Sequence, residues 1–320
     1  MTVSRGFLVI GSIYLIIGVL LGMHMGASGD HSMAPAHAHI NLVGFTLMIL
    51  FGLAYDRFAE ALTAAGYVVY AEDHRGHGKT HPRGRDHGYF ADKNGFATVV
   101  EDLHAVTETA REEVPDVPVF LFGHSMGSFL ARAYAAAYGG ELAGLILCGT
   151  AGDQGLLGKA GAGIAALQSR VRGRRHTSGL LDQLSFGSYG NAFKPTRTKF
   201  DWLSRDPEEV DKYVADPLCG NVFSAGFYAD LLGGLAYIHD PKTSARVPKD
   251  LPIHLIAGSM DPVGAQSKGV EQVAGQYRKA GIEEVTTRFY VGARHELLNE
   301  TNRDEVTADV IAWLDAHVGD

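Results

Sequence analysis

The stretch Phe122-Gly123-His124-Ser125-Met126-Gly127-Ser128 concentrates the chain's chemistry. An apolar run enters it and a helix-like run leaves it. Glycines on either side of Ser125 permit a strand-to-helix turn so tight that the serine is forced into a strained conformation with its hydroxyl presented outward. A hydroxyl is a weak nucleophile until a neighbouring base removes its proton, and that base needs an acid to fix its tautomer and support its charge. Both partners can be read further along. The apolar run Ile253 to Ala257 ends in Gly258-Ser259-Met260-Asp261-Pro262, a carboxylate on the turn after a strand. The run Arg288 to Val291 leads into Gly292-Ala293-Arg294-His295-Glu296. Ser125 is therefore the expected nucleophile, Asp261 the acid and His295 the base, in the chain order serine, acid, histidine. The Met126 backbone N–H, one residue past the nucleophile, is an expected oxyanion donor.

Rival residues fit less well. Asp230 and Asp240 follow no strand. His254 lies inside an apolar run as a core residue would, His317 sits on a terminal helix, and His124 should point away from its neighbour Ser125. Acyl transfer by an activated hydroxyl needs neither metal nor organic cofactor, and none is expected. Cys148 and Cys219 form no CxxC pair, so no zinc site or disulfide framework is indicated. The net charge of −8 is spread along the chain. Its densest basic spot, Arg170, Arg172, Arg174 and Arg175 before His176, reads as a solvated loop, so nucleic acid is not an expected partner.

The elements that must hold these residues alternate. Short β-branched runs at Tyr67–Ala71, Val117–Phe122, Leu145–Cys148, Ile253–Ala257 and Val285–Val291 predict strands. Amphipathic spacing predicts helices over Asp56–Ala65, Leu103–Glu113, Met126–Tyr138, Val270–Ala280 and Arg303–His317. The alternation predicts an α/β fold, a mostly parallel sheet flanked by helices. It breaks between about residues 152 and 247, which are Gly-rich, aromatic and loop-like with short helices near Pro207–Val214 and Ala225–Leu235. The organisation expected is a core of residues 55–150 and 246–320 with a helical cap, 151–245, inserted between.

At these residues the chain resembles the monoacylglycerol lipase and lysophospholipase group of α/β-hydrolases, grouped also with serine aminopeptidases. The motifs that carry the resemblance are Asp73-His74-Arg75-Gly76-His77-Gly78, the elbow Gly123 to Gly127, Gly258 to Pro262, and Arg294-His295-Glu296 with Asn299-Glu300. The stretches Thr196 to Asp206 and Asp216 to Gly220 resemble the cap of bacterial members. The resemblance spans about residues 55 to 320. It implies hydrolysis of carboxylic esters, monoacylglycerol- or lysophospholipid-like or other short- to medium-chain acyl esters, with a lid governing entry and with His74 and His77 structural. An aminopeptidase, a thioesterase or an impaired binding module of the same fold are the alternatives. Such relatives carry further strands before residue 55 and a His-Gly motif whose following N–H helps hold the oxyanion. This chain has Leu47 to Ala54 in that place, which makes Leu53 the candidate second donor.

Residues 1–54 read like a different protein. Phe7 to Met23 is almost uninterruptedly apolar and Ile40 to Tyr55 is a second such run. The first suits a membrane helix after Arg5, with a cleavable signal as the competing reading. The second suits either a membrane helix or a central strand, because one backbone cannot satisfy both hydrogen-bonding patterns. Between them His24, His31, His37 and His39 suit a polar loop better than a metal or haem site. The expectation is a membrane association through residues 7–55, with the hydrolase part cytoplasmic or held on the cytoplasmic side.

Overall fold

The structure, a computed structural model, describes residues 55–80 and 87–318. The expected membrane segment and Leu53 lie outside the described residues. Among the described residues no helix is long and apolar enough to cross a membrane. The chain divides into two units, residues 1–72 and 73–320.

In the first unit, helix α1 spans Asp56–Ala64 and buries Phe58, Ala59 and Leu62. Its end is closed where Tyr67 N–H donates to the Leu62 carbonyl at 3.0 Å, across Gly66 at φ +98°. A left-handed residue after the last turn is the usual glycine stop. The run Tyr67–Ala71, expected as a strand, forms no strand and pairs with none among the described residues. β-branched composition suits a strand, but a strand exists only where a neighbour supplies the ladder.

Among the described residues of the second unit four strands, β1 (Phe120–His124), β2 (Gly144–Cys148), β3 (Ile253–Gly258) and β4 (Val285–Tyr290), lie side by side in chain order. All pairs are parallel, with Leu121 opposite Leu145, Leu145 opposite Ile253 and Ile253 opposite Val285. The central strands β2 and β3 are buried throughout, which is why they read as unbroken apolar runs rather than alternating ones. Alternate residues still face opposite ways. Leu145, Leu147, Ile253, Leu255 and Ala257 join one cluster with Val270, Val273, Ala274 and Tyr277 of α9 (Lys268–Lys279). On His254 the Trp313 ring of α10 (Arg303–Asp315) stacks at 5.4 Å, and it meets Phe120 edge-on. Helix α2 (Gly95–Glu113) begins eight residues before the predicted Leu103, and α3 (Met126–Tyr138) has the predicted bounds.

Between β2 and β3 the chain is helical: α4 (Gly155–Arg172), α5 (Gly179–Phe186), α6 (Pro207–Ala215), α7 (Ala225–His239) and α8 (Pro241–Ser244). Helices α6 and α7 were expected. The 18-residue α4 and the shorter α5 were not, since Gly158, Gly161 and Gly163 each lower intrinsic helix preference by about 1 kcal/mol relative to alanine. Packing overrides that cost. Helix α4 lies along α7, and at Gly161 even a Cβ would already touch Leu232 at 3.8 Å.

Candidate active site

Because β1 to β4 are parallel, their carboxyl ends share one edge of the sheet, and the three expected site residues all leave the sheet there. Ser125 follows β1 with φ +52° and ψ −120°, a conformation that non-glycine residues rarely adopt. The elbow is over-determined from both sides. Ser125 N–H donates to the Cys148 carbonyl at the tip of β2 at 2.9 Å, and the Ser125 carbonyl accepts from Ser128 N–H at 2.9 Å and Ser128 Oγ at 2.6 Å. A Cβ on Gly123 would stand 2.5 Å from the Gly127 carbonyl, so the first glycine is demanded by the turn. Met126 is the first residue of α3, where free N–H groups and the helix dipole favour negative charge.

Asp261 follows β3 and is fully buried. Its Oδ1 accepts from Val263 N–H at 2.9 Å, which fixes the rotamer and turns Oδ2 to His295. His295, on the loop after β4, is 2 % exposed and donates from Nδ1 to Asp261 Oδ2 at 2.9 Å. A carboxylate can only accept, so the neutral ring carries its proton on Nδ1 and keeps a free lone pair on Nε2, the tautomer a base requires. Burial lowers the basicity of the ring. The Asp261 charge and hydrogen bond, helped by Glu296, outweigh it and leave the His295 pKa above the ordinary histidine value.

His124 packs against the His295 loop: its ring lies 4.7 Å from that of His295, and its Nε2–H donates to the His295 carbonyl at 3.1 Å. Burial pushes its pKa down, so it packs as a neutral ring there. Two neighbours were not expected at the site from the sequence. Gly149, at φ +60° just past β2, comes so close that a Cβ would lie 3.0 Å from His295 Cε1. Trp202, from the helical segment, lies 5.2 Å from the His295 ring and is itself met edge-on by Tyr189, whose pKa burial and Asp261 push up to about 12. The glycine after a strand was the available signal for the first; nothing in the spacing of Trp202 ties it to His295.

The Asp73 to Gly78 motif is built into the backbone. Asp73 Oδ2 accepts from Lys79 N–H at 2.8 Å, and the His77 ring packs among Phe90, Phe223 and Phe227 at 5.9, 5.3 and 5.8 Å. Asp230 pairs with Arg174 instead of with a histidine, and Asp240 caps α8 by accepting from Lys242 N–H at 2.9 Å. His254 hydrogen-bonds Thr286 at 2.7 Å inside the sheet, where burial brings its pKa down to about 4. No cluster of metal-ligating side chains occurs among the described residues.

A parallel sheet with a serine elbow after β1, an acidic turn after β3 and a histidine loop after β4 is the α/β-hydrolase fold. Among solved structures, a thermostable carboxyl esterase from Bacillus coagulans, crystallised with glycerol, is similar with a TM-score of 0.76 at 31% identity, covering 84% of this chain and 87% of that one. Among curated proteins, the monoacylglycerol lipase of Mycolicibacterium smegmatis is 30% identical over 264 residues, 82% of this chain and 84% of the relative. The human monoglyceride lipase is 29% identical over 261 residues, 80% and 74% of the two chains. The profile of the serine aminopeptidase, S33, family matches residues 51–302, and the chain belongs to that family.

Proposed function

We propose that the protein is a serine hydrolase of carboxylic esters, with acylglycerols or similar lipid esters as substrates and with Ser125, His295 and Asp261 as its triad. The observation that carries this reading is the buried Asp261–His295 pair at 2.9 Å, beside a serine held at φ +52° on the same sheet edge. In the proposed cycle Ser125 Oγ attacks the ester carbonyl as His295 Nε2 takes its proton. The oxyanion is received by Met126 N–H, and the alcohol leaves with the proton returned by His295. Water, deprotonated by the same ring, then cleaves the acyl-enzyme and restores Ser125. Asp261 holds the tautomer and stabilises the imidazolium. Leu53, the second donor expected from the sequence, lies outside the described residues. No cofactor takes part.

An apolar acyl chain is favoured by the segment between β2 and β3, proposed as the cap of residues 151–245 over a core of 55–150 and 246–320. On α4 the side chains of Leu156, Leu157, Ile164, Leu167 and Val171 are all exposed, Leu156 and Leu157 by 84% and 83%. At 100° per residue they form one stripe, with Lys159 and Arg170 along one border and Arg172 along the other. An outward apolar stripe with cationic borders suits substrate delivered from a lipid aggregate. The relatives named above as monoacylglycerol lipases support the same substrate class.

The test is hydrolysis of a p-nitrophenyl ester chain-length series by the purified protein beside Ser125→Ala. We expect turnover in the parent and a loss of at least about 10³-fold in the variant. Equal rates in both would sink the reading. Hydrolysis of aminoacyl anilides in preference to esters would transfer the same site to an aminopeptidase.

A further inference from the structure

We propose that residues 201–206 of the helical segment are a positioning strap for His295, with Trp202 and Arg205 as its positioning residues and Glu300 as its anchor. The inference rests on the reading of His295 as base. Asp261 settles which way the ring's Nδ1 points, but it does not by itself hold the loop that carries the ring. That loop, 292–303, is fastened along its length to the helical segment. Glu296 N–H donates to the Leu203 carbonyl at 2.7 Å. Arg294, the residue before the base, donates from Nη1 to the Ser204 carbonyl at 3.0 Å and to the Asp201 carbonyl. Ser204 Oγ donates to the Asn299 carbonyl at 2.8 Å. The residues on both sides of His295 are thus tied to 201–204.

Glu300 is the centre of this arrangement. Its carboxylate is fully buried, where an uncompensated charge would be costly. It is compensated from both partners of the strap: Oε1 accepts from Arg294 N–H at 2.8 Å and from Arg205 N–H at 3.0 Å, and Oε2 accepts from Arg205 Nε at 2.8 Å and Thr301 N–H at 2.9 Å. The Arg205 guanidinium reaches on to Asn302 Oδ1 at 2.6 Å, a forked geometry that lysine cannot copy. One carboxylate therefore joins the backbone next to the base to the backbone and side chain of the strap. Trp202, buried from solvent, packs against the His295 ring with centroids 5.2 Å apart.

None of these strap residues lies on a strand of the sheet, so the base is placed jointly by β4 and by a segment that enters the fold between β2 and β3. The seating of that segment and the competence of the base are consequently one event. A displaced segment would leave Ser125 and Asp261 in place while loosening His295.

The test compares Arg205→Met, Arg205→Lys, Glu300→Gln and Trp202→Leu with the parent, using a soluble short-chain p-nitrophenyl ester. Rates are taken per active site, counted by fluorophosphonate labelling of Ser125, so that misfolded protein is not scored. We expect kcat per labelled site to fall about tenfold or more, as small misplacements of a reacting group do, with KM within twofold and Arg205→Lys intermediate. The charges facing His295 are Asp261 and Glu296, with neutral His124 beside it. A ring that slips from Asp261 loses basicity, so the acidic limb of the kcat/KM profile should also move to lower pH. Unchanged kcat per labelled site in variants that fold would overturn the strap, as would a fall with an unmoved acidic limb. Should Arg205→Met not fold, Trp202→Leu and Glu300→Gln decide by the same two readouts. Failure of the underlying reading is separate: His295→Ala would then retain turnover.

Discussion

The strand tips and the helix α4 obey opposite rules. At this end of the sheet the charged and titratable groups are buried and spoken for: Asp261 and Glu300 are fully buried, His295 is 2 % exposed, and each has named partners. On α4 the large apolar side chains stand in solvent. A sheet edge of this kind spends stability to hold strained or charged groups in one geometry. A helix with an exposed apolar stripe spends solubility, which is useful only where apolar material arrives. On the proposed function the contrast separates a part that does chemistry from a part that meets substrate, and substitutions in the two should fail in different assays.

The largest effect is expected at the tips. Asp261→Asn keeps size and shape but removes the charge and lets the amide donate toward Nδ1, which favours the wrong histidine tautomer. We expect kcat to drop about 10⁴-fold with KM little changed, measured on the short-chain ester. A drop under tenfold would mean that another group fixes the His295 ring, and would erase the distinction between tip and surface.

Next comes the sheet beneath the tips. Leu255, in the middle of β3, is completely buried among Leu147, Val270 and Ala274. Leu255→Ala should lower unfolding free energy by about 2–5 kcal/mol, read from denaturant midpoints, while kcat per labelled site stays near the parent's. That pairing of outcomes would sharpen the comparison, because stability and chemistry would have parted within a few residues of each other.

The same contrast explains what the sequence made legible. The placement of Gly123, Ser125, Asp261 and His295 at strand ends was legible because strain, strand ends and chain order restrict residue type at those positions. The buried strands β2 and β3 were found to within a residue because burial on both faces demands unbroken apolar runs. Helix α4 escaped because its glycines argue against a helix locally, and only its packing along α7 supplies the reason for one. The strap escaped for a related reason. Arg205 and Glu300 are 95 positions apart, and no periodicity links a buried carboxylate to a guanidinium that far away. The run Tyr67–Ala71 failed in the opposite sense, since its residues suit a strand for which no ladder forms among the described residues.

The smallest expected effect on stability lies on α4, and it separates the two parts most sharply. Leu157→Ser and Leu167→Ser remove apolar area that the folded chain leaves in water, at 83% and 64% exposure. Little transfer energy is forfeited, so the unfolding free energy should change by less than about 0.5 kcal/mol, against the several kcal/mol of Leu255→Ala. Rates on a dissolved short-chain ester should stay within twofold of the parent. On an emulsified long-chain monoacylglycerol the double variant should be slower by roughly an order of magnitude, since each leucine that enters an apolar phase contributes about 1.5–3 kcal/mol and part of that is recovered by the remaining Leu156, Ile164 and Val171. Equal losses on both substrates would place α4 with the catalytic edge and dissolve the division. A loss confined to the emulsion would show that the exposed stripe is kept for the substrate's phase, which the folding of the chain by itself does not require.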